Sequence, residues 1–172
     1  MAGGGDVILL PEIPYKLENI RETIMNRIKR GKPYSIVVVA EGIQTDGNRR
    51  AAEFIAQEIE RETGLTTFFV DTNGTHSYLQ GAEGAFLNIA KLFCCEGKEK
   101  QANSVNIIGA TPLDFSVNTS VSSIKKWLLD NGFSVQSCFA MDSSLDEIST
   151  APQAAVSLVI SSDGITAAKY LF

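Results

Sequence analysis

Basic charge, histidine, tryptophan and long apolar runs are all scarce in this chain, and each scarcity removes a class of function. Fifteen lysines and arginines stand against twenty aspartates and glutamates, for a formal net charge of −5. The basic residues are spread over expected helix faces rather than gathered on one side, so no field draws in a phosphate backbone and nucleic acid is excluded as a partner. The longest apolar runs, Val7 to Leu10 and Ile36 to Ala40, fall far short of the roughly 18 residues a membrane span needs. The opening Met-Ala-Gly-Gly-Gly-Asp lacks the charged and apolar regions of a signal peptide, and a cytoplasmic protein is expected.

There are three cysteines, an odd number with no spacing pattern. Cys94 and Cys95 are neighbours at a helix end and cannot both face one tetrahedral metal, and Cys138 falls in an expected strand. They read as small apolar residues of a reducing compartment, so no metal or other cofactor is expected. His76 is the sole histidine, beside Thr72, Asn73 and Thr75. A proton shuttle there would need a nucleophile or second ligand that the neighbourhood lacks, which favours a surface histidine.

What is present is enough apolar material, 44% of 172 residues, for one good core, and a single α/β domain over 1–172 is expected. The organising stretch is Tyr34 to Gly42. Its unbroken, largely β-branched run predicts a strand buried on both faces at the centre of a parallel sheet. Glu41 would then stand at the carboxyl rim, where ligands of such sheets sit. Further strands are expected at Asp6 to Leu10, Thr66 to Asp71, Val105 to Ile108, Val135 to Met141 and Ala155 to Ile160. Between them run helical stripes: Leu17, Ile20, Ile24 and Ile28; Ala52, Ile55 and Ile59; Leu79, Ala82, Phe86, Ile89 and Phe93; Val121, Ile124 and Leu128. Ser144 with Glu147 predicts a capping box, and Ile165 to Leu171 a last short helix. Six alternations with short links predict a doubly wound, Rossmann- or flavodoxin-like three-layer sandwich on a mainly parallel six-stranded sheet.

Glycine motifs point to no nucleotide site. Neither Gly3-Gly-Gly5 nor Gly42 to Gly47 fits a dinucleotide fingerprint, which needs three glycines directly after a strand. Gly81 and Gly84 are expected to let a helix pack closely. Asp142, Ser143 and Ser144 read as a helix cap rather than a nucleophile with its base.

Gly4-Gly-Asp-Val-Ile-Leu-Leu-Pro-Glu-Ile-Pro14, Gly31-Lys-Pro-Tyr-Ser-Ile-Val-Val-Val-Ala-Glu-Gly42 and Glu58-Ile-Glu-Arg-Glu-Thr-Gly64 resemble the part of a 6-phosphofructokinase that leads into its sugar-phosphate site. That family continues to an arginine-bearing strand and a Gly-His-Gln-Arg-Gly-Gly motif, which do not follow here. From about Phe68 the chain is similar instead to the nitrogenase component 1 family. The likeness rests on Val70-Asp-Thr-Asn-Gly74, Gln80-Gly81, Val105-Asn-Ile-Ile-Gly109 and Leu145-Asp-Glu-Ile-Ser-Thr-Ala-Pro-Gln-Ala-Ala-Val-Ser-Leu-Val-Ile160. Together the resemblances imply an engineered chimera of a 1–67 fragment and a 68–172 fragment.

By resemblance, Glu41 matches a carboxylate that binds a sugar hydroxyl, set against a solvated acid at a strand end. Ser161 takes the place of the cysteine that ligates the metal cofactor in the second family, and serine removes the thiolate–iron bond. Three readings follow: a catalytically silent α/β scaffold; a module binding a small molecule or small anion at the strand ends; and an enzyme fragment awaiting a partner subunit. The rim of the second reading is Glu41, Asp71, Asn73, Thr75, Ser161, Ser162, Asp163 and Gly164. The missing motifs and the ending at Phe172 favour the first over the third.

Overall fold

Helical stripes govern much of the structure. In the computed structural model, which describes residues 4–43, 50–72, 74–95, 99–115 and 119–172, the first stripe forms α1 (Leu17–Lys29) and buries Ile20 and Ile24. The second forms α2 (Ala51–Thr63), burying Ile55 and Ile59, and Gly64 ends it in the left-handed conformation (φ 68°) with its N–H on the Glu60 carbonyl. With no Cβ to clash, glycine takes this cap freely. The expected polar turn Gln44 to Asn48 lies outside the described residues.

Residues up to Phe69 form one compact unit and residues from Val70 another. In the first, β1 (Val7–Leu9) pairs in parallel with β2 (Val37–Val39), Val7 opposite Val37 and Leu9 opposite Val39. Leu9, Ile20, Ile24, Ile55 and Ile59 make its core, with Val37 and Val39 packed against it. Each such fully buried side chain contributes about 1.5–3 kcal/mol. Arg27 ties the other end of the strands: its Nη1 pairs with Asp6 Oδ1 at 2.8 Å and its Nε donates to Ser35 Oγ at 3.1 Å. The interior position expected for Ser35 to Ala40 is not observed. Among the described residues the ladder of β2 is with β1 alone, and Ile36 (48%) and Val38 (44%) are substantially exposed. A continuous apolar run buries both faces only where something covers both.

In the second unit β3 (Gln101–Ile108) is the centre of a parallel sheet of order β4-β3-β5, with β4 at Ser134–Cys138 and β5 at Ala154–Val159. Its helices are α3 (Tyr78–Phe93), α4 (Ser120–Asp130), α5 (Leu145–Ser149) and α6 (Ile165–Leu171). Ile107 faces one core with Val121 and Leu128 of α4, and Ile108 faces another with Phe86 and Ala90 of α3 and Ala167 and Leu171 of α6. This unit is therefore three-layered, with helices on both faces of its sheet.

The strands form a pair and a triplet among the described residues, not one sheet of six. The strand expected at 66–71 is not assigned, although Val70 Cγ1 lies 3.2 Å from where a Gly84 Cβ would stand and Thr72 Cγ2 3.1 Å from that of Gly81. Those two glycines do permit close packing on this segment. β3 begins at Gln101, earlier than its apolar pattern suggests. Asn103 is left-handed (φ 59°), the pairing with β5 shifts between Gln101 and Val105, and Ser104 Oγ accepts the Ala155 N–H in place of a backbone partner.

Candidate functional site

In both units the strands run in parallel, so loops that follow them gather at carboxyl ends. After β2, Ala40 N–H donates to the Leu9 carbonyl at 3.0 Å, then Glu41 is exposed and Gly42 turns the chain with φ 88°. An open hollow of about 510 Å³ lies there, lined by Leu10, Pro11, Ile13, Pro14, Tyr15, Gly42 and Ile43. Among the described residues no charged side chain lines it.

The second unit has a more specific arrangement. Ser161, half-buried, is followed by exposed Ser162 and by buried Asp163 and Gly164. This loop lies directly on the end of β3, because Gly109 and Gly164 carry no side chain. A Cβ on Gly164 would stand 2.9 Å from the Ile108 carbonyl carbon, and one on Gly109 (φ 91°) would stand 2.9 Å from Ser161 N and 3.0 Å from Asp163 Oδ1. Asp163 is 2% exposed, and neither carboxylate oxygen has a hydrogen-bond partner among the described residues. Nearby charge is negative. Tyr78 donates to Asp114 Oδ1 at 2.6 Å, and Thr111 Oγ1 donates to Asp114 Oδ2 at 3.1 Å. The Tyr78 hydroxyl is held above the ordinary phenol pKa by that bond to Asp114, then by desolvation and the charges of Asp114 and Asp163. Thr166 Oγ1 is bonded to the Glu83 carboxylate.

Of the other residues predicted for the rim, Asp71 and Thr75 are exposed in the segment before α3, and Asn73 lies outside the described residues. Glu41 belongs to the first unit. His76 is exposed, as its polar surroundings suggest. Asp142-Ser143-Ser144 is a structural corner: Ser144 Oγ accepts the Glu147 N–H and Glu147 Oε2 the Ser144 N–H, Ser143 Oγ accepts the Cys138 N–H, and Asp142 pairs with Lys125 at 2.9 Å. The hydrogen bond and charge of Lys125 hold the Asp142 carboxyl below its ordinary range.

One buried polar group had no counterpart in the sequence reading. Asn106, fully buried in β3, accepts from Ser137 Oγ of β4 at 2.8 Å and donates to the Ala151 carbonyl at 2.9 Å and Ser157 Oγ of β5 at 3.4 Å. Its signal was a lone asparagine inside Val105-Asn-Ile-Ile108. The thiols are quiet: burial first pushes Cys94 and Cys138 up to about 11, and Cys94 Sγ donates to the Ile148 carbonyl at 3.2 Å. Among the described residues no three His, Cys, Asp or Glu side chains group as a metal centre.

Parallel strands layered with helices define an α/β protein. Residues 16–172 match the family model of nitrogenase component 1 type oxidoreductase, and the chain belongs to that family. A solved structure titled nitrogenase Cp1 at pH 6.5 superposes with a TM-score of 0.63 at 18% identity, over 83% of this chain and 27% of that one, a likeness of fold. The chain is also similar to ATP-dependent 6-phosphofructokinase 3 of Bacteroides thetaiotaomicron, 75% identical over 67 residues, which are 39% of this chain and 20% of the relative. The ATP-dependent 6-phosphofructokinase of Spirochaeta thermophila is 62% identical over 42 residues, 24% of this chain and 12% of its own. The chain thus spans a fifth or less of these curated relatives.

The donor set at the loop after β5 does not fit the metal chemistry of the family's name. Ser161, Ser162 and Asp163 present oxygens, whereas iron–sulfur clusters are held by thiolates. Burial keeps the Cys94 and Cys138 thiols protonated at neutral pH.

Proposed function

We propose that this chain is a recombined α/β scaffold without catalytic activity of its own, in which a phosphofructokinase-like fragment (1–67) continues into a nitrogenase component 1-like fragment (68–172). The observation that carries the reading is the length of the high-identity match. It extends over 67 residues, close to the length of the first compact unit, Met1–Phe69. The family model begins at residue 16 and runs across this junction, so the likeness to nitrogenase component 1 is not confined to the second fragment.

Catalytic silence follows from incomplete sets. Phosphoryl transfer needs metal, phosphate ligands and a base held together, and Glu41 stands exposed beside an apolar hollow. Losing one member of a cooperating set already removes most of a rate enhancement. The anion-binding alternative is opposed at the second unit's strand ends by the carboxylates of Asp114 and Asp163. Anaerobically purified protein should read background in iron and sulfide analysis and in a coupled sugar-phosphate kinase assay. Stoichiometric iron, or turnover in that assay, refutes the reading.

A further inference from the structure

Asp163 is a charge without an answer. Both carboxylate oxygens are sealed from solvent and make no hydrogen bond, and no ion pair reaches Asp163 or Asp114 among the described residues. An isolated ionised carboxylate in such surroundings is strongly disfavoured unless a donor or cation faces it. The following helix, α6, has only seven residues, and its dipole alone is a weak substitute. The setting is built for close approach of oxygen atoms. Around the place a Gly109 Cβ would occupy lie Ser161 N at 2.9 Å and Asp163 Oδ1 and the Ser161 carbonyl oxygen at 3.0 Å each, so the carboxylate sits against the bare α-carbon at the end of β3. The field there is negative, since the charge of Asp163 reaches the hydroxyl of Tyr78, itself bonded to Asp114.

We propose that Asp163 anchors a cation-binding site at the carboxyl ends of β3 and β5, taking a hard metal ion or a primary ammonium group. Oxygen donors select hard cations, which accept carbonyls and water beside a single carboxylate. Among the described residues no three His, Cys, Asp or Glu side chains group, so backbone carbonyls and water would complete the shell around the one carboxylate. The site does not depend on the scaffold reading, because a bound cation needs no catalysis.

The test uses the full chain, freed of metal by chelation and kept in tetramethylammonium chloride, whose cation cannot donate a hydrogen bond. Calcium, magnesium, sodium, potassium and methylammonium chlorides are then titrated while thermal unfolding is followed, for the native chain and for Asp163→Asn. At ten times its dissociation constant, at least one probe should raise the native Tm by roughly 3–6 °C and leave Asp163→Asn unmoved. A response to metal ions alone, or to methylammonium, tells which source of positive charge the site takes. If no probe moves the native chain, or one moves both proteins equally, the proposal is overturned. Should Asp163→Asn not fold, amide NMR of the native chain decides. Saturable shifts centred on Gly109, Ser161 and Gly164 support the site, and shifts absent or centred elsewhere refute it.

Discussion

β2 and β3 are both apolar strands in parallel ladders, yet Val38 is 44% exposed while Ile107 and Ile108 are 0% exposed. Their residues do not explain the difference, since valine and isoleucine suit a strand equally well. Their neighbours do. β3 has a strand on each edge and a helical layer on each face, whereas among the described residues the ladder of β2 is with β1 alone. Burial is thus conferred on a strand by what surrounds it.

The sharpest test compares the two regions by truncation. Phe139→Ala removes a fully buried ring that sits 6.2 Å from Phe86 and should cost about 3–5 kcal/mol. Val38→Ala should cost less than about 1 kcal/mol, because half the side chain already meets water. Urea unfolding measures both, and equal losses would break the comparison.

A second contrast is between polar groups. Asn106→Ala strands the Ser137 hydroxyl and the Ala151 carbonyl in the core, for about 1–3 kcal/mol. Asp6→Asn weakens the Arg27 clamp at the edge of the first unit, where water replaces the lost interaction, for about 1 kcal/mol or less. The reverse order would mean that the first unit's edge is the more tightly sealed.

Titration sharpens the picture further. Cys94 and Cys138 are raised from 9.0 to about 11 in the fold, so the unfolded chain gives up these protons first. Their contribution is complete below pH 9 and is lost as pH rises toward 11. Alkylation at neutral pH should accordingly modify exposed Cys95 well before the other two, as peptide mapping would show. The smallest effect concerns Asp142, whose carboxyl is lowered by Lys125. Its contribution is present above the ordinary carboxylate range and fades as pH falls through the lowered value. A slight acid-side drop in Tm should vanish in Lys125→Met.

The helices were legible because their cause is local. Ile20 with Ile24, Ile55 with Ile59, and Val121 with Leu128 repeat at helical spacing and are the pairs found buried. The Ser144–Glu147 capping box was readable for the same reason. Ser77 and Gln80 form another, carried by the same kind of spacing and passed over. Ladder partners were not legible, since Val105 meets Val135 and Val156 across long stretches of chain. Gln101 to Ser104 hid as strand because Gln101, Asn103 and Ser104 are polar and its register is interrupted. Ser161-Ser-Asp-Gly164 was readable as the loop after a strand, but nothing in it tells that the Asp163 carboxylate would be sealed. That depends on Gly109 and Gly164 letting two backbones touch.

Asn106 does something for the second unit that no apolar side chain can. Leucine, isoleucine and valine accept many neighbours, so a sheet built of them tolerates a sliding strand. The amide of Asn106 meets Ser137 on one side and Ser157 on the other, each its partner in the ladder. Move β4 or β5 by one residue and that serine turns to the opposite face, leaving the amide to lose a partner. The side chain therefore acts as an indexing pin, rejecting misaligned sheets whose hydrophobic burial would otherwise be nearly as good.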